Sequence, residues 1–298
     1  MISDEEDLPE LSVIIPVYNR PEKIRTCIEG VLNQTYPEEL TEIYVVDNKS
    51  TDQTREVVKE YSRVNLEKEN EIQSSYAARN TGIEACEGHV IAMIDSDCDP
   101  VDEWLENGVK KMIETDADLV GGNVEFTFSK RRKASELYDS INNMQVESDI
   151  KGRGVAKTAN LFSKRKVFDE IGLFPEDVKS GGDVTWTRKA TENNFKLVYS
   201  KEAKVRHPAR RFISSMKKQF RVGKGKYSND EKSKDPMKIL KRFNPPKISY
   251  LKSKLEEKVD SKVSKQMFAR LFLVVWMVNV FQNLGFIYGL FNDIRRIK

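Results

Sequence analysis

The chain has 298 residues, a length that allows one large domain or two smaller ones. Hydrophobic residues make up 39% and charged residues 33% of the sequence, a balance that indicates a globular protein with a charge-rich surface. The formal net charge of +3 is too small to indicate nucleic-acid binding, so we expect no nucleic-acid partner.

The cysteines and the N-terminus both predict a cytoplasmic catalytic part. Cys27, Cys86 and Cys98 are odd in number and have no metal-ligand spacing, which is typical of free thiols in a reducing compartment. Residues 1–10 are acidic and lack the basic start and apolar run of a secretory signal.

From residue 11 to about 207, apolar strand patterns alternate with helical ones, which predicts an α/β domain with a largely parallel sheet. The predicted strands, with the polar residues that follow them, are 11–17 with Tyr18-Asn19, 44–46 with Asp47-Asn48, and 90–94 with the aspartates from Asp95. The predicted helices are 21–34, a helix opened by a capping box at Ser50 and Gln53, 75–85 and 101–113. Because ligands bind beyond the carboxyl ends of strands in such sheets, we expect the three polar clusters to meet at one edge.

The segment Asp95-Ser96-Asp97-Cys98-Asp99 predicts a divalent cation site. Three carboxylates within five residues repel one another unless a cation lies among them. Mg²⁺ and Mn²⁺ prefer oxygen ligands and also bind diphosphates. The alternative is a helix start at Asp99-Pro100, which accounts for Asp99 but not for all three acids.

Four segments in order resemble the signature of family 2 glycosyltransferases over residues 11–225. They are Leu11-Ser-Val-Ile-Ile-Pro-Val-Tyr-Asn19, Val45-Val-Asp-Asn-Lys-Ser-Thr-Asp52, Ala77-Ala-Arg-Asn-Thr-Gly82 and Ile94-Asp-Ser-Asp97. Within the family, three further stretches resemble bacterial polysaccharide-building enzymes of the hormogonium polysaccharide type. They are Ile72-Gln-Ser-Ser-Tyr-Ala-Ala-Arg-Asn80, Gly121-Gly-Asn-Val-Glu-Phe-Thr-Phe128 and Ala156-Lys-Thr-Ala-Asn-Leu-Phe162.

The resemblance implies a GT-A fold, a mixed sheet flanked by helices, here with a C-terminal helical extension. It also implies an inverting, metal-dependent transfer of a sugar from a nucleotide diphosphate donor, by default a UDP-sugar. The acceptor would be a hydroxyl of a polysaccharide or of a lipid-linked glycan. The residues that it implies for nucleotide binding are Pro16, Val17, Tyr18, Asn19, Asp47, Arg79, Asp95 and Ser96. Tyr18 could instead be a rim tyrosine, and Arg79 a surface arginine.

The same resemblance implies metal, catalytic and acceptor residues. Asp97, Asp99 and His207 would hold Mn²⁺ or Mg²⁺, although a lone histidine is more often structural. The family usually carries Gly-Glu-Asp in the loop that holds its general base, and here Gly182 replaces the glutamate, so only Asp183 inherits the role. The alternative for Asp183 is a helix N-cap.

Two further residues are predicted to bind the acceptor. Trp186 would form a sugar platform, with a core aromatic as the equal alternative, and Asn160 is also predicted to contact the acceptor. Two alternative functions fit the same fold. A sugar nucleotidyltransferase would normally carry a Gly-rich basic loop where this chain has Tyr18-Asn-Arg-Pro21. A non-catalytic scaffold is the second alternative, and the retained acidic residues argue against it.

The C-terminal third predicts contact with a membrane. The basic run from Arg210 to Lys226 predicts an amphipathic helix that meets the donor diphosphate, an anionic lipid surface or a lipid-phosphate acceptor, or simply a solvated face. Gln219-Phe-Arg-Val222 departs from the Gln-x-x-Arg-Trp pattern of processive synthases, which predicts single-sugar addition. Residues 271–290 are long enough to span a bilayer, to lie at its interface or to pack on the enzyme.

The sequence thus predicts four segments: an acidic tail (1–9), a GT-A domain (10–225), a basic linker (226–263) and an apolar membrane-associating helix (264–298). The expected location is the inner face of the cell membrane, because the basic tail would remain on the cytoplasmic side.

Overall fold

The computed structural model describes residues 8–176, 178, 180–229, 243–258 and 263–296. Most of the predicted acidic tail therefore lies outside the described residues, as do parts of the predicted linker and Lys179 of the Asp183 loop. The boundaries of the four predicted segments stay a prediction.

One mixed sheet contains the eight strands of the described chain. In chain order they are β1 (Leu11–Val17), β2 (Thr41–Asp47), β3 (Val64–Lys68), β4 (Val90–Ile94), β5 (Asp99–Pro100), β6 (Leu119–Thr127), β7 (Asn160–Lys164) and β8 (Leu197–Pro208). Their order across the sheet is β3-β2-β1-β4-β7-β6-β8-β5. The first four in that order are parallel, whereas β7 pairs antiparallel with β4 and β6, and β5 with β8.

Helices flank this sheet, and further helices follow it in the chain. In chain order they are α1 (Pro21–Leu32), α2 (Thr54–Val58), α3 (Ser75–Ala85), α4 (Trp104–Glu114), α5 (Ala134–Asn142), α6 (Val146–Arg153), α7 (Arg165–Ile171), α8 (Gly182–Glu192), α9 (Phe212–Asn229), α10 (Ile248–Lys258) and α11 (Lys265–Arg296). The mixed sheet flanked by helices, with its C-terminal helical extension, confirms the fold that the resemblance implied.

The predicted elements that depend on local pattern are present. The strands β1 and β4 and the helix α3 have the predicted bounds. The capping box at Ser50 is wrong: α2 begins at Thr54, and Ser50 Oγ accepts a hydrogen bond from the backbone N–H of Asn19 instead. The helix predicted at Val101 begins at Trp104, because Asp99 and Pro100 pair with β8.

The described chain divides into two compact units. Unit 1 comprises residues 1–125 and 145–207, and unit 2 comprises residues 126–144 and 208–298. The core of unit 1 fills the space between sheet and helices with side chains such as Ile14, Val46, Met93, Leu161 and Trp186. The first four lie on strands and are buried on the sheet, whereas Trp186 packs from helix α8.

Unit 2 has a separate apolar core, formed by α5, α9, α10 and α11. Its buried members include Leu137, Met216, Leu251, Leu271 and Val278. The part of α11 from residue 265 to residue 291 is long and apolar enough to cross a membrane. Its most apolar 18-residue window has a mean hydropathy of 1.7, and 39% of that window is buried within the protein.

Candidate active site

The ends of β1 and β2 are tied together by polar contacts at the carboxyl edge of the sheet. Val17 pairs in register with Asp47, so the residues after each strand lie side by side. Asn19 has a left-handed φ of 49°, and its Oδ1 accepts a hydrogen bond from the N–H of Thr51 over 2.8 Å. The predicted convergence of these two polar clusters is therefore present.

Asp47 is fully buried, and only one of its two carboxylate oxygens has a hydrogen-bond partner among the described residues. Its Oδ2 accepts hydrogen bonds from Arg55 Nε over 2.7 Å and from the N–H of Ser50 over 3.2 Å. Its Oδ1 is buried and has no hydrogen-bond partner among the described residues. A buried carboxylate oxygen normally finds a donor, so this atom suits the N–H of a ligand.

The residues predicted to bind the nucleotide at the end of β1 differ in exposure. Pro16 and Val17 are buried within the strand, whereas the side chain of Tyr18 is 45% exposed. An exposed aromatic ring at the end of a strand can stack on a planar base. Tyr18 is therefore the member of this group whose ring is accessible.

The third cluster follows β4, and Arg79 holds its first residue. Arg79 is 2% exposed, and its Nη2 donates a hydrogen bond to Oδ1 of Asp95. The surface alternative for Arg79 is therefore wrong. Its Nε is buried without a partner in the described chain, and Ser96, the residue after Asp95, is also buried.

Asp97 lies between two cationic or metal-binding side chains. His207 Nε2 is 3.6 Å from Asp97 Oδ1, and Arg20 Nη1 is 3.0 Å from Asp97 Oδ2. The pairing of β5 with β8 explains the first contact, because it matches Asp99 with Arg206 and so brings the next residue of β8 to the acidic loop. His207 is fully buried at this point.

Three potential metal ligands meet in this place. One ligand atom each from Asp97, Cys98 and His207 lies within 4.8 Å of the others. Burial raises the pKa of the Cys98 thiol well above its ordinary value, and the nearby Asp95 and Asp97 act in the same direction. Thiolate ligands suit softer metals than Mg²⁺ or Mn²⁺, so the carboxylate and the imidazole are the donors of this group that fit such a cation.

Asp99 is the predicted ligand that the structure separates from this group. Its Oδ2 lies 3.5 Å from Arg206 Nη1, and it is not among the three side chains whose ligand atoms converge. Pairing within the β5–β8 ladder accounts for this position. Asp97 and His207 are therefore brought together as predicted, and Asp99 is not.

Asp183 lies in the first turn of α8 and is held by Tyr76. The Tyr76 hydroxyl donates to Asp183 Oδ1 over 3.1 Å and accepts from the N–H of Gly181 over 3.0 Å. Gly181 is the N-cap, with a φ of 86°, so the capping alternative for Asp183 is wrong. Burial, helped by the Asp183 charge, raises the pKa of Tyr76 and keeps its hydroxyl a donor.

The two predicted acceptor residues lie in the interior. Trp186 is 2% exposed, stacks on Phe168 with ring centroids 4.4 Å apart and donates to the carbonyl of Gly172. The core alternative that the sequence left open therefore describes Trp186.

Asn160 is fully buried and uses its whole amide group inside unit 1. Its Oδ1 accepts from Trp104 Nε1, and its Nδ2 donates to the carbonyls of Asn123 and Ala203. The prediction of an acceptor contact at Asn160 is not supported, because the side chain is fully buried and is held by these interior contacts.

Three residues near the site were not predicted from the sequence. Tyr76 lies one helical turn before Arg79, a spacing that places both on one face of α3. Arg20 stands within the quoted segment after β1, and Cys98 stands between two predicted ligands. The helical spacing from Arg79 was the one usable signal, and it pointed to Tyr76.

The family model described as "Glycosyl transferase family 2" matches residues 12–172 of the chain. The chain belongs to glycosyltransferase family 2. This glycosyltransferase is 44% identical over 290 residues to glycosyltransferase AglE of Haloferax volcanii, an alignment that covers 93% of this chain and 95% of AglE.

Two solved structures are similar in fold to this glycosyltransferase. The mannosyltransferase PcManGT of Pyrobaculum calidifontis, solved with GDP-Man and Mn²⁺, aligns over 97% of this chain and 76% of its own, with a TM-score of 0.58 and 18% identity. S. aureus TarS 1–349, solved with UDP-GlcNAc, aligns over 93% of this chain and 90% of its own, with a TM-score of 0.55 and 19% identity. At this identity the likeness concerns the fold.

Proposed function

We propose that this glycosyltransferase moves a sugar from a nucleotide diphosphate donor, by preference a UDP-sugar, to a hydroxyl of a polysaccharide or of a lipid-linked glycan, with inversion at the anomeric carbon. One observation carries the proposal. Tyr76 and Arg79, one turn apart on α3, contact Asp183 and Asp95 respectively. One turn of α3 therefore contacts both the candidate base and the acidic loop.

In this proposal the donor nucleotide lies along the ends of β1, β2 and β4. Asp47 offers its unpartnered Oδ1 to an N–H of the base, and Tyr18 offers its exposed ring. Asp95 meets the ribose, with Asn19 and Ser96 shaping the loops around it. PcManGT with GDP-Man and TarS with UDP-GlcNAc support a nucleotide-sugar donor for this fold.

The residues that would hold a divalent cation are Asp97 and His207. The ligand atoms of both lie near one another, and the imidazole and carboxylate form a donor set that fits Mn²⁺ or Mg²⁺. When bound, the cation would supply Lewis-acid stabilisation of the departing diphosphate. Arg79 adds a fixed positive charge beside Asp95, which offsets the negative charge gathered there.

Asp183 would remove the proton of the acceptor hydroxyl. An alcohol is a weak nucleophile at neutral pH, so a positioned carboxylate base assists its attack. Tyr76 fixes one carboxylate oxygen of Asp183, and the side chain is only half-buried. Displacement in one step with a single base predicts inversion.

The acceptor and the location also belong to the proposal. A polysaccharide acceptor of the hormogonium type and a lipid-linked glycan remain two forms of the same proposed hydroxyl acceptor. We place the enzyme at the cytoplasmic face of the membrane, since α11 is long and apolar.

The test is a thermal-shift screen of nucleotide-sugars with Mn²⁺, followed by an assay for release of the nucleoside diphosphate. We expect one UDP-sugar to raise the melting temperature and to release UDP in the presence of acceptor. Asp183→Asn should lower the rate by about a thousandfold while nucleotide binding persists. Release of pyrophosphate would identify a nucleotidyltransferase instead, and unchanged turnover of the variant would remove Asp183 from the mechanism.

A further inference from the structure

The C-terminal helix α11 of unit 2 carries a row of exposed apolar side chains. Leu273, Met277, Leu284 and Phe291 are each more than a third exposed. Their spacings of four and seven residues place all of them on one face of the helix. At a rise of about 1.5 Å per residue, the row is about 27 Å long. A continuous apolar row of this length on a protein surface indicates a binding surface.

The opposite side of α11 packs closely against α9. A Cβ added to Gly223 would lie 1.9 Å from the carbonyl oxygen of Gln282, and one added to Gly285 would lie 2.0 Å from that of Phe220. The two backbones therefore touch, which only glycine allows at these positions. The packing also joins polar groups, because Gln282 Nε2 donates to Gln219 Oε1 over 3.0 Å.

This packing argues against a helix that crosses the bilayer alone. A crossing would separate α11 from α9 and bring Gln282 and Asn283 into lipid, where polar side chains are costly. In the structure Asn283 is buried and Gln282 is paired with Gln219. The polar face that the sequence shows is thus covered by protein, and the face left exposed is the apolar row.

An exposed basic row on α9 lies beside the apolar row. Lys217, Arg221 and Lys224 follow at spacings of four and three residues, and all three are exposed. The helix sequence from residue 212 to residue 229 contains no acidic residue. Lys224 Nζ lies 4.4 Å from the ring centroid of Tyr288, which is one turn from both Leu284 and Phe291.

We propose that unit 2 binds the surface of an anionic lipid bilayer, with α11 lying in the plane of the membrane. The apolar row would enter the boundary between headgroups and acyl chains, and the basic row would meet anionic headgroups. The basic row, with no acidic residue on its helix, is complementary in charge to such a surface. The inference goes beyond sugar transfer, and vesicle binding tests it without a donor or an acceptor.

The experiment is co-sedimentation of the full chain with vesicles of phosphatidylcholine alone or of phosphatidylcholine and phosphatidylglycerol in equal parts. We expect binding to the anionic vesicles, reversed by high salt or by alkaline carbonate. Replacement of three basic residues by Lys217→Gln, Arg221→Gln and Lys224→Gln should weaken binding about a hundredfold, since each charge near an anionic surface contributes about a factor of five. A charge-matched control with Lys23→Gln, Lys59→Gln and Lys201→Gln, all exposed in unit 1, should bind as the wild type does.

A second variant tests the apolar row. Leu273→Ser, Met277→Ser and Leu284→Ser change exposed side chains, so circular dichroism and the melting temperature should match the wild type while vesicle binding is lost. Failure of the wild type to bind either vesicle would overturn the proposal, as would equal binding by the basic-row variant. Vesicle binding that resists carbonate would show that α11 spans the membrane. If the wild type instead forms a dimer and binds no vesicles, and the apolar-row variant is monomeric, the apolar row binds a second copy of the chain.

Discussion

The hydroxyl of Tyr76 lies 3.1 Å from Oδ1 of Asp183, although 107 positions separate the two residues in the chain. The same hydroxyl accepts the N–H of Gly181, so the tyrosine fixes both the start of α8 and the carboxylate that follows it. Because Tyr76 is 7% exposed and packs beside Phe174, it cannot easily shift to another partner. It is a positioning residue for the proposed base.

Tyr76→Phe should lower kcat about tenfold and leave KM for the donor nearly unchanged. The ring stays in place, but Asp183 loses the hydrogen bond that orients it, and a misplaced base loses rate rather than affinity. Steady-state kinetics with varied donor measure both constants. A rise in KM with unchanged kcat would assign Tyr76 to donor binding instead.

Asp47→Ala should weaken nucleoside diphosphate binding about ten- to a hundredfold, since a hydrogen bond to a charged group contributes about 1.5–3 kcal/mol. The variant removes Oδ1, the buried oxygen that has no hydrogen-bond partner in the described part of the chain. Calorimetric titration with UDP measures the change.

The matched control for Asp47 is Arg55→Gln. It disrupts the contact of Arg55 Nε with Oδ2 but leaves Oδ1 in place, so its loss of affinity should be smaller. Equal losses in the two variants would show that Asp47 acts only by holding Arg55.

The stability of unit 1 should depend on pH through Asp118. Burial acts to raise the pKa of Asp118, but hydrogen bonds from Lys166 and from the N–H of Lys196 outweigh it, and the pKa lies below its ordinary value of 3.8. The stabilisation is therefore present above about pH 4 and is lost as the pH falls through the folded-state pKa.

Asp118→Asn should accordingly reduce the free energy of unfolding by about 1–2 kcal/mol at neutral pH, and the difference should shrink toward pH 3. Chemical denaturation at several pH values measures it. A difference that stays constant over this range would show that packing, rather than charge, is responsible.

The sequence predicted those parts of the fold and site that depend on local pattern. β1, α3 and β4 follow from apolar runs and a helical period, and Asp95 and Asp97 come directly after a buried strand. The short strand β3 was missed because Val64–Lys68 contains only two apolar residues among polar ones and has no apolar run. Asp99 was misplaced because a two-residue strand has no pattern of its own.

Long-range topology decided the rest. His207 reaches Asp97 only because β8 pairs with β5, and Tyr76 reaches Asp183 only because α3 and α8 are neighbours in space. A tryptophan in the sequence is compatible with a sugar platform and with a core residue alike. For Trp186 the stacking on Phe168 shows that it belongs to the core. Tertiary contacts of this kind leave little trace in a single sequence.

Calorimetric titration of UDP into the wild type and into Asp97→Ala, each with Mn²⁺ and with a chelator, tests whether a cation at Asp97 binds the nucleotide. We expect Mn²⁺ to strengthen UDP binding to the wild type at least about tenfold and to have little effect on the variant, because in the proposed site Asp97 and His207 would together hold the cation. Equal strengthening of both proteins by Mn²⁺, or none in the wild type, would contradict the proposed site.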